Sequence, residues 1–304
     1  MLNFFKKTRS PKWEFQKSGN IWRAFFLENG KLICEHRSTE QKQVSFFLLD
    51  DETGTLIWED FVLTHPSGAM AGALVGDGWW VGLEAVYQNL IFFHSFYDPT
   101  VPEHLGIWAL ESTTKKIKWA RPELSFICLT LDNQILAYRE SLVGGFVERY
   151  FLTIDPLSGN EGVDLGQNAQ RIHELRATSL GFEASQAVRL PEKIDGKSTP
   201  NPALLTLAEK HAKIDSVIAG YDIISQNERV VLGFHKQTQA VTRNQAGLPV
   251  KALDYVLKVI ENEKVIYEDV IGTGMSGLIL DGFFTRNQKL YYVRHKDTLC
   301  CVEL

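Results

Sequence analysis

Four histidines occupy matching places in the sequence, each close to the end of a short apolar segment that reads as a β-strand. They are His36, His94, His235 and His295. Glu140 holds the corresponding place in another segment, directly after Arg139. Imidazole and carboxylate groups bind metal ions or exchange protons near neutral pH, and guanidinium groups bind anions. The pattern therefore leaves three alternatives: a metal or catalytic site, an anion or small-ligand site, and a solvated rim of polar strand ends.

A second polar cluster lies in one predicted loop. Asp98, Glu103 and His104 are close in sequence and could bind a cation, with a solvated loop as the alternative. A metal site at any of these places needs at least three His, Asp or Glu side chains within a few ångströms of one another. No H-E-x-x-H or G-x-S-x-G motif is present, so zincin and α/β-hydrolase chemistry have no support.

The strands that would position these residues recur along the chain as apolar segments closed by an acid. They are Phe46 to Asp50, Gly106 to Glu111, Tyr150 to Asp155, Ala203 to Glu209, Tyr255 to Glu261 and Leu299 to Glu303. Polar turns such as Glu28-Asn29-Gly30 separate further apolar strands. Four short strands per repeat are typical of a propeller blade. The segment Ala203–Lys213 fits this scheme as two strands, because Leu205-Thr206-Leu207 alternates.

The sequence thus predicts an all-β, six-bladed β-propeller in a single domain, residues 1–304. The predicted blades are 21–63, 79–121, 124–166, 172–219, 220–272 and 278–304 with 11–17. The last blade lacks a fourth strand, and the segment at Trp13 resembles the outer strands at Trp58 and Trp119. We therefore expect the N-terminal strand to complete the last blade and close the ring, which removes an exposed sheet edge.

Predicted loop lengths separate the two rims of this propeller. The connections after each second strand are long: Arg37–Gln43, Ser95–Leu105, Glu140–Glu148, Pro191–Pro202 and Lys236–Lys251. Long loops on a rigid scaffold often carry binding sites. The favoured hypothesis is a non-catalytic binding or scaffold propeller that holds an unknown protein or small molecule at this face. The alternative is a metal-assisted hydrolase or lactonase-like enzyme that uses the histidines of the same rim.

The series from Asp50 through Thr53-Gly54 to Trp58 resembles the repeat of quinoprotein-type β-propellers. Glu111 and Trp119 repeat its spacing of eight residues. The chain is also similar to uncharacterised bacterial propeller families, which implies a fold and no activity. Quinone-dependent members of the superfamily carry a vicinal disulfide, which Cys300-Cys301 resembles. The pair lies here in a predicted closing strand, and we expect buried reduced thiols and no cofactor.

Composition limits the remaining possibilities. The chain has 32 basic and 37 acidic residues, a balance that disfavours a nucleic-acid partner. No apolar run of signal-peptide or membrane-spanning length follows Met1–Arg9. The sequence therefore predicts a cytoplasmic protein without a membrane partner.

Overall fold

The computed structural model describes residues 10–98, 100–195, 201–212 and 217–304. The strands are β1 (Trp13–Gln16), β2 (Asn20–Phe26), β3 (Lys31–Ser38), β4 (Gln43–Asp50), β5 (Leu56–Phe61), β6 (Val81–Tyr87), β7 (Leu90–Phe96), β8 (His104–Glu111), β9 (Lys116–Arg121), β10 (Ser125–Leu129), β11 (Ile135–Val143), β12 (Phe146–Ile154), β13 (Glu161–Gly166), β14 (Glu192–Ile194), β15 (Val217–Gln226), β16 (Arg229–Arg243), β17 (Pro249–Glu261), β18 (Lys264–Met275), β19 (Phe283–Arg286), β20 (Lys289–Arg294) and β21 (Thr298–Glu303). The helices are α1 (Ala169–Thr178), α2 (Phe182–Gln186) and α3 (Pro202–Ala212), and a short 3₁₀ turn spans Val75–Gly78. Over the described ranges, no helix has the length and apolar character to cross a membrane.

The chain divides into two compact units, and the described strands form five antiparallel sheets. The three-sheet unit, Ser18–Gln186, holds the sheets β2-β3-β4-β5, β6-β7-β8-β9 and β10-β11-β12-β13. The two-sheet unit, Met1–Lys17 with Ala187–Leu304, holds β14-β15-β16-β17-β18 and β1-β21-β20-β19. The all-β prediction is confirmed in this form. The predicted closure of six blades into a ring is not confirmed.

Strand β7 shows how the three-sheet unit builds its core. Ile91 and Phe93 belong to the cluster shared with strands β2–β5, whereas Leu90 and Phe92 belong to the cluster shared with β10–β12. Successive side chains of a strand point to opposite faces, so a strand covered on both faces must be apolar at every position. This explains why the central strands read as continuous apolar runs rather than as alternating ones.

The acid-to-tryptophan motif is a structural device. The Asp50 Oδ1 atom accepts hydrogen bonds from the backbone N–H of Glu52 and Thr53 and from the Thr53 hydroxyl, which closes the β4–β5 turn. Trp58 then donates its indole N–H to the carbonyl of Ser112 at 2.9 Å, in the adjacent sheet. Trp119 donates likewise to Pro156 at 3.0 Å. The repeated tryptophans therefore join neighbouring sheets.

The predicted pairing of the first and last strands is confirmed in the two-sheet unit. Strand β1 runs antiparallel to β21, with Trp13 opposite Cys301. The Arg294 guanidinium reinforces this sheet by binding both carboxylate oxygens of Glu14 and one of Asp269. Cys300 and Cys301 are buried and unbonded to each other, and burial raises the pKa of Cys300 to about 12.

The predicted fourth blade is wrong as a four-stranded sheet, because most of helix α1 and all of α2 and α3 fall within it and its described residues contain only β14 and the start of β15 as strands. Asn201 caps α3 by accepting from the N–H groups of Ala203 and Leu204, and Pro202 suits a first helical position. Ala208 and Ala212 are buried four residues apart, a helical spacing that the short Leu205–Leu207 alternation concealed. Residues 196–200 and 213–216 of this predicted blade lie outside the described residues, as does Met1–Arg9.

Two predicted long loops are also wrong, since Glu140–Glu148 and Lys236–Lys251 are mostly strand. Strands β11 and β12 pair up to Val143 and Phe146 around a Gly144-Gly145 turn. Strands β16 and β17 extend in the same way to Arg243 and Pro249. These ribbons are exposed on both faces near their ends, where even apolar side chains such as Leu142 and Phe146 stay accessible, so no burial pattern marks them as strands. Two of the five long loops on which the predicted binding face rested are therefore replaced by strands.

Candidate metal centre

Three side chains of the sheet β6–β9 converge on one point: Glu84, His94 and His104. Their ligand atoms all lie within 4.8 Å of one another. The Nδ1 atoms of both histidines stand 2.8 Å from the same oxygen, Glu84 Oε2. The two imidazole rings are stacked, 3.5 Å between centroids and 6° from parallel. Among the described residues this is the one such group of three.

Irregular strand pairing brings these side chains together. Leu83 pairs with Phe93 but Ala85 pairs with Phe92, so Glu84 is the extra residue of a β-bulge. On the other side of β7, the register shifts again between Phe93 and Ser95, which places His94 at a second irregularity. Bulges re-aim side chains and are common beside functional sites.

Close backbone approach holds the His94 ring in place. A Cβ atom added to Gly82 would stand 2.9 Å from both Cε1 and Nε2 of His94, so a larger residue at this position would displace the ring. Phe96 sets its edge against both imidazoles, 5.3 Å from each centroid. His94 is consequently buried, with 1% of its surface exposed.

The hydrogen bonding of the cluster is incomplete. His104 Nδ1 makes a hydrogen bond with Glu84. His94 Nδ1 is equally near the carboxylate, yet it has no hydrogen-bond partner within the part of the chain that is described. A buried polar atom without a partner costs free energy, so its persistence calls for an explanation such as a bound ion.

The protonation states favour metal binding. Burial alone would raise the pKa of Glu84, but the two imidazoles, each 2.8 Å from its Oε2 atom, outweigh that effect and lower the pKa to about 2. Burial lowers the pKa of His94, with Glu84 opposing part of that shift. At neutral pH, Glu84 is thus ionised and His94 is neutral, the forms in which both groups bind metal ions.

The other predicted histidines do not join this cluster. His36 is buried, with Nε2 2.7 Å from the Ser18 carbonyl and Nδ1 3.2 Å from the Ser45 hydroxyl. Because a carbonyl only accepts, Nε2 carries the proton and Nδ1 accepts from Ser45. Both ring nitrogens of His36 are therefore occupied by structural hydrogen bonds.

In the two-sheet unit, His235 and His295 have different surroundings. His235 lies inside β16 rather than at its end, and its Nε2 accepts from the N–H of Ile279 at 2.9 Å. Its ring lies against Tyr255, 4.5 Å between centroids. His295 is exposed in the β20–β21 turn. The prediction that β16 ends at His235 is wrong, because the strand continues to Arg243.

Arg139 and Glu140 belong to exposed ion pairs on β11. Arg139 binds Glu161 at 2.8 Å, and Arg149 binds Glu140 at 2.9 Å. Arg149 also forms an ion pair with Glu103, so Glu103 does not join Asp98 and His104 in the predicted loop cluster. Asp98 instead accepts from the backbone and hydroxyl of Thr100. Of the predicted loop cluster, only His104 reaches the metal centre.

Glu84 is the candidate ligand that sequence reasoning missed. It stands alone as a charge within the apolar strand Val81–Tyr87. Buried charges are rare unless paired or bound to a metal, so this isolated acid was the available signal.

Comparisons with known proteins add limited information. A family model described as "Domain of unknown function (DUF4905)" matches residues 27–119, a segment that contains all three residues of the cluster. No curated protein matches. Similar solved structures include a putative glycoside hydrolase from Bacteroides ovatus (10% identity, 98% of this chain and 93% of that one, TM-score 0.31) and a member of the duf4221 family from Bacteroides vulgatus (10%, 96% and 96%, 0.29). A mannose phosphorylase from Leishmania mexicana is similar at 10% identity, 93% and 84% coverage and a TM-score of 0.27. The likeness to quinoprotein-type propellers stays a prediction.

Proposed function

We propose that the protein binds a divalent transition metal, zinc foremost, through Glu84, His94 and His104, and uses it to activate water for hydrolysis. The observation that carries the proposal is the convergence of three ligand atoms within 4.8 Å, one of them the buried Nδ1 of His94 that has no described hydrogen-bond partner.

The donor set selects the class of metal. Two imidazoles favour zinc, iron, copper or nickel over magnesium and calcium, which prefer oxygen ligands. Two histidines and one glutamate form a known catalytic zinc set, in which a fourth position is left for water. Zinc lowers the pKa of such a water to about 7 and so supplies hydroxide at neutral pH. Among the chemistries open to this set, hydrolysis needs no further cofactor.

Metal binding requires a small rearrangement. An imidazole nitrogen binds a metal in the plane of its own ring, and two parallel rings cannot both point their planes at one ion. At least one ring must therefore turn. His104 is the one expected to move, since its side chain is 26% exposed and that of His94 only 2%.

The test begins with protein freed of metal by a chelator and titrated with Zn²⁺ or with Co²⁺, whose visible spectrum reports its ligands. We expect one ion per chain, with binding abolished in His94→Gln and in His104→Gln. The matched control is His36→Gln, whose ring is occupied elsewhere. Equal binding by the control and the two cluster variants would overturn the metal site.

Hydrolysis is tested separately, with a panel of activated esters and lactones. We expect turnover that is lost on chelation, restored by Zn²⁺, and absent in His94→Gln. A protein that binds zinc tightly but hydrolyses nothing on the panel would count against the enzyme and leave the metal site standing.

The binding-module hypothesis has less support, because the ribbons at Glu140–Glu148 and Lys236–Lys251 replace two of the loops that suggested it. A protein partner, the absence of nucleic-acid and membrane partners and a cytoplasmic location stay predictions of the sequence. Closure of the sheets into a six-bladed ring and a quinone cofactor form no part of the proposal.

A further inference from the structure

A cavity of about 420 Å³ in the three-sheet unit is lined by Thr39, Lys42, Asp77, Trp79 and Trp80, none of which belongs to the Glu84–His94–His104 group. We propose that it binds a neutral carbohydrate, with a sugar ring against the indoles and its hydroxyl groups on Lys42 and Asp77. This inference does not depend on the metal centre.

The backbone before the tryptophans adopts an uncommon conformation. Gly76, Asp77 and Gly78 have successive φ values of 52°, 52° and 73°, a left-handed turn in the short 3₁₀ segment. Left-handed backbone is less favourable for aspartate than for glycine, although aspartate adopts it more readily than most residues. Asp77 therefore occupies a place where glycine would be more stable, and its carboxylate has no hydrogen-bond or ion-pair partner among the described residues.

The same turn fixes the two indoles. The Gly76 carbonyl accepts hydrogen bonds from the backbone N–H of both Trp79 and Trp80, at 3.0 and 2.8 Å. A Cβ atom on Gly76 would stand 3.0 Å from the Ser95 hydroxyl and 3.2 Å from Trp80 Cβ, so the turn has little room for another residue. The direction of both side chains is thus determined by local backbone geometry.

Each indole is also supported from the protein side. The Arg37 guanidinium lies over Trp79, 5.5 Å from its centroid, and is itself held by Glu35 at 2.7 Å. Phe96 sets its edge against Trp80, 6.0 Å between centroids. Rings held in this way lose little conformational entropy when a ligand stacks on them, which favours binding.

The polar lining decides the class of ligand. Lys42 and Asp77 are exposed and, like the indole N–H groups of Trp79 and Trp80, have no hydrogen-bond or ion-pair partner among the described residues. One positive and one negative charge give no net attraction for a phosphate group. Donors and acceptors beside a flat apolar surface instead match a sugar ring, whose hydroxyls both donate and accept and whose C–H face is apolar.

The experiment is saturation-transfer-difference NMR on the 304-residue chain freed of metal by a chelator, with a panel of methyl pyranosides and α- and β-linked disaccharides. We expect transfer to the ring C–H protons of at least one sugar. Asp77→Asn and Lys42→Met should weaken its binding roughly tenfold, because each removes a charged hydrogen-bond partner. Trp80→Phe should weaken it further. The matched control is Trp119→Phe, a tryptophan of strand β9 that binds Pro156 and takes no part in the cavity lining, and this variant should bind normally.

Asp77→Gly provides a second readout. It should raise the melting temperature by relieving the left-handed strain and at the same time lose sugar binding. Absence of transfer to every sugar overturns the proposal, as does transfer that survives in the Asp77 and Trp80 variants. Binding of adenosine or inorganic phosphate in place of any sugar also overturns it. Because the protein is metal-free throughout, failure of the metal centre leaves this test unaffected.

Discussion

His94 and His235 stand at corresponding places in two different sheets, but their surroundings differ. His94 faces Glu84 and His104 across a bulged register, whereas no such group of three forms around His235 among the described residues. Each of the two rings keeps a buried Nδ1 that has no hydrogen-bond partner in the described chain. His235 gives its Nε2 to the Ile279 N–H and lies against the ring of Tyr255. The same residue type at the same repeat position is thus a candidate ligand in one sheet and a structural hydrogen-bond acceptor in the other. Neighbouring residues, rather than the repeat position, determine the chemistry.

The largest expected effect distinguishes these two sites directly. Glu84→Gln removes the carboxylate shared by both imidazoles. Loss of a residue that only supports a metal ligand lowers affinity by up to about a hundredfold, so loss of the ligand Glu84 itself should lower zinc affinity by at least that factor. His235→Gln should leave the affinity unchanged. Calorimetric titration of both variants measures the contrast. Equal affinities would remove the distinction between the two histidines.

A second variant tests whether close packing positions His94. Gly82→Ala places a Cβ 2.9 Å from the imidazole, which must then shift. We expect about tenfold weaker zinc binding and a loss of about 1–3 kcal/mol in the free energy of unfolding, as for overpacked cores. Gly181→Ala is the control, since its Cβ would meet nothing within 4 Å. Similar losses in the two variants would show that the ring is not constrained from this side.

For His235, the expected effect is on stability alone. Burial lowers the pKa of His235 from 6.5 to about 4. Between pH 6.5 and pH 4, the unfolded chain therefore binds a proton at His235 that the folded chain does not. The stability is present above pH 6.5 and is lost as the pH falls toward 4. His235→Gln, whose carbonyl can still accept from Ile279, should flatten this pH dependence. His235→Leu should cost about 1–3 kcal/mol by leaving that N–H unsatisfied.

Denaturant unfolding of the wild type and both variants between pH 7 and pH 4 measures this effect. Identical slopes with pH in all three proteins would exclude His235 as the group that titrates.

The smallest effect belongs to His295. Its side chain is exposed in a turn, so His295→Ala should change the free energy of unfolding by less than about 0.5 kcal/mol and leave zinc affinity unaltered. The same titration and unfolding measurements apply. A clear loss of zinc binding in this variant would show that the rim histidines act together after all.

Much of the strand pattern could be predicted because it is local. The turn after Asp50 follows from residue types at short spacing. The pairing of Trp13 with β21 spans the chain and followed instead from the repeat, because the last unit lacked a fourth strand and the Trp13 segment resembled the outer strands. Helix α3 could not be separated from two strands, because Leu205-Thr206-Leu207 satisfies both periods over so short a stretch. The ends of the β11–β12 and β16–β17 hairpins were not predicted for a related reason. A strand that is solvated on both faces need not alternate between apolar and polar residues.

The candidate site was predictable only in part. His94 and His104 were recognised separately, one as a strand end and the other as part of a loop. Their convergence depends on register shifts at Glu84 and between Phe93 and Ser95, which arise from strand pairing and leave no spacing pattern in the sequence.

The sheet that joins β1 to β21 has a consequence for biosynthesis. The Arg294–Glu14 contact links residues 280 positions apart, whereas Ser18–Gln186 is continuous. On the ribosome, the continuous unit can acquire its tertiary contacts while translation proceeds. The other must wait for its final strand, with an early segment held unpaired meanwhile. Folding should therefore occur in two stages, and the nascent chain should be most vulnerable to aggregation and proteolysis just before the second.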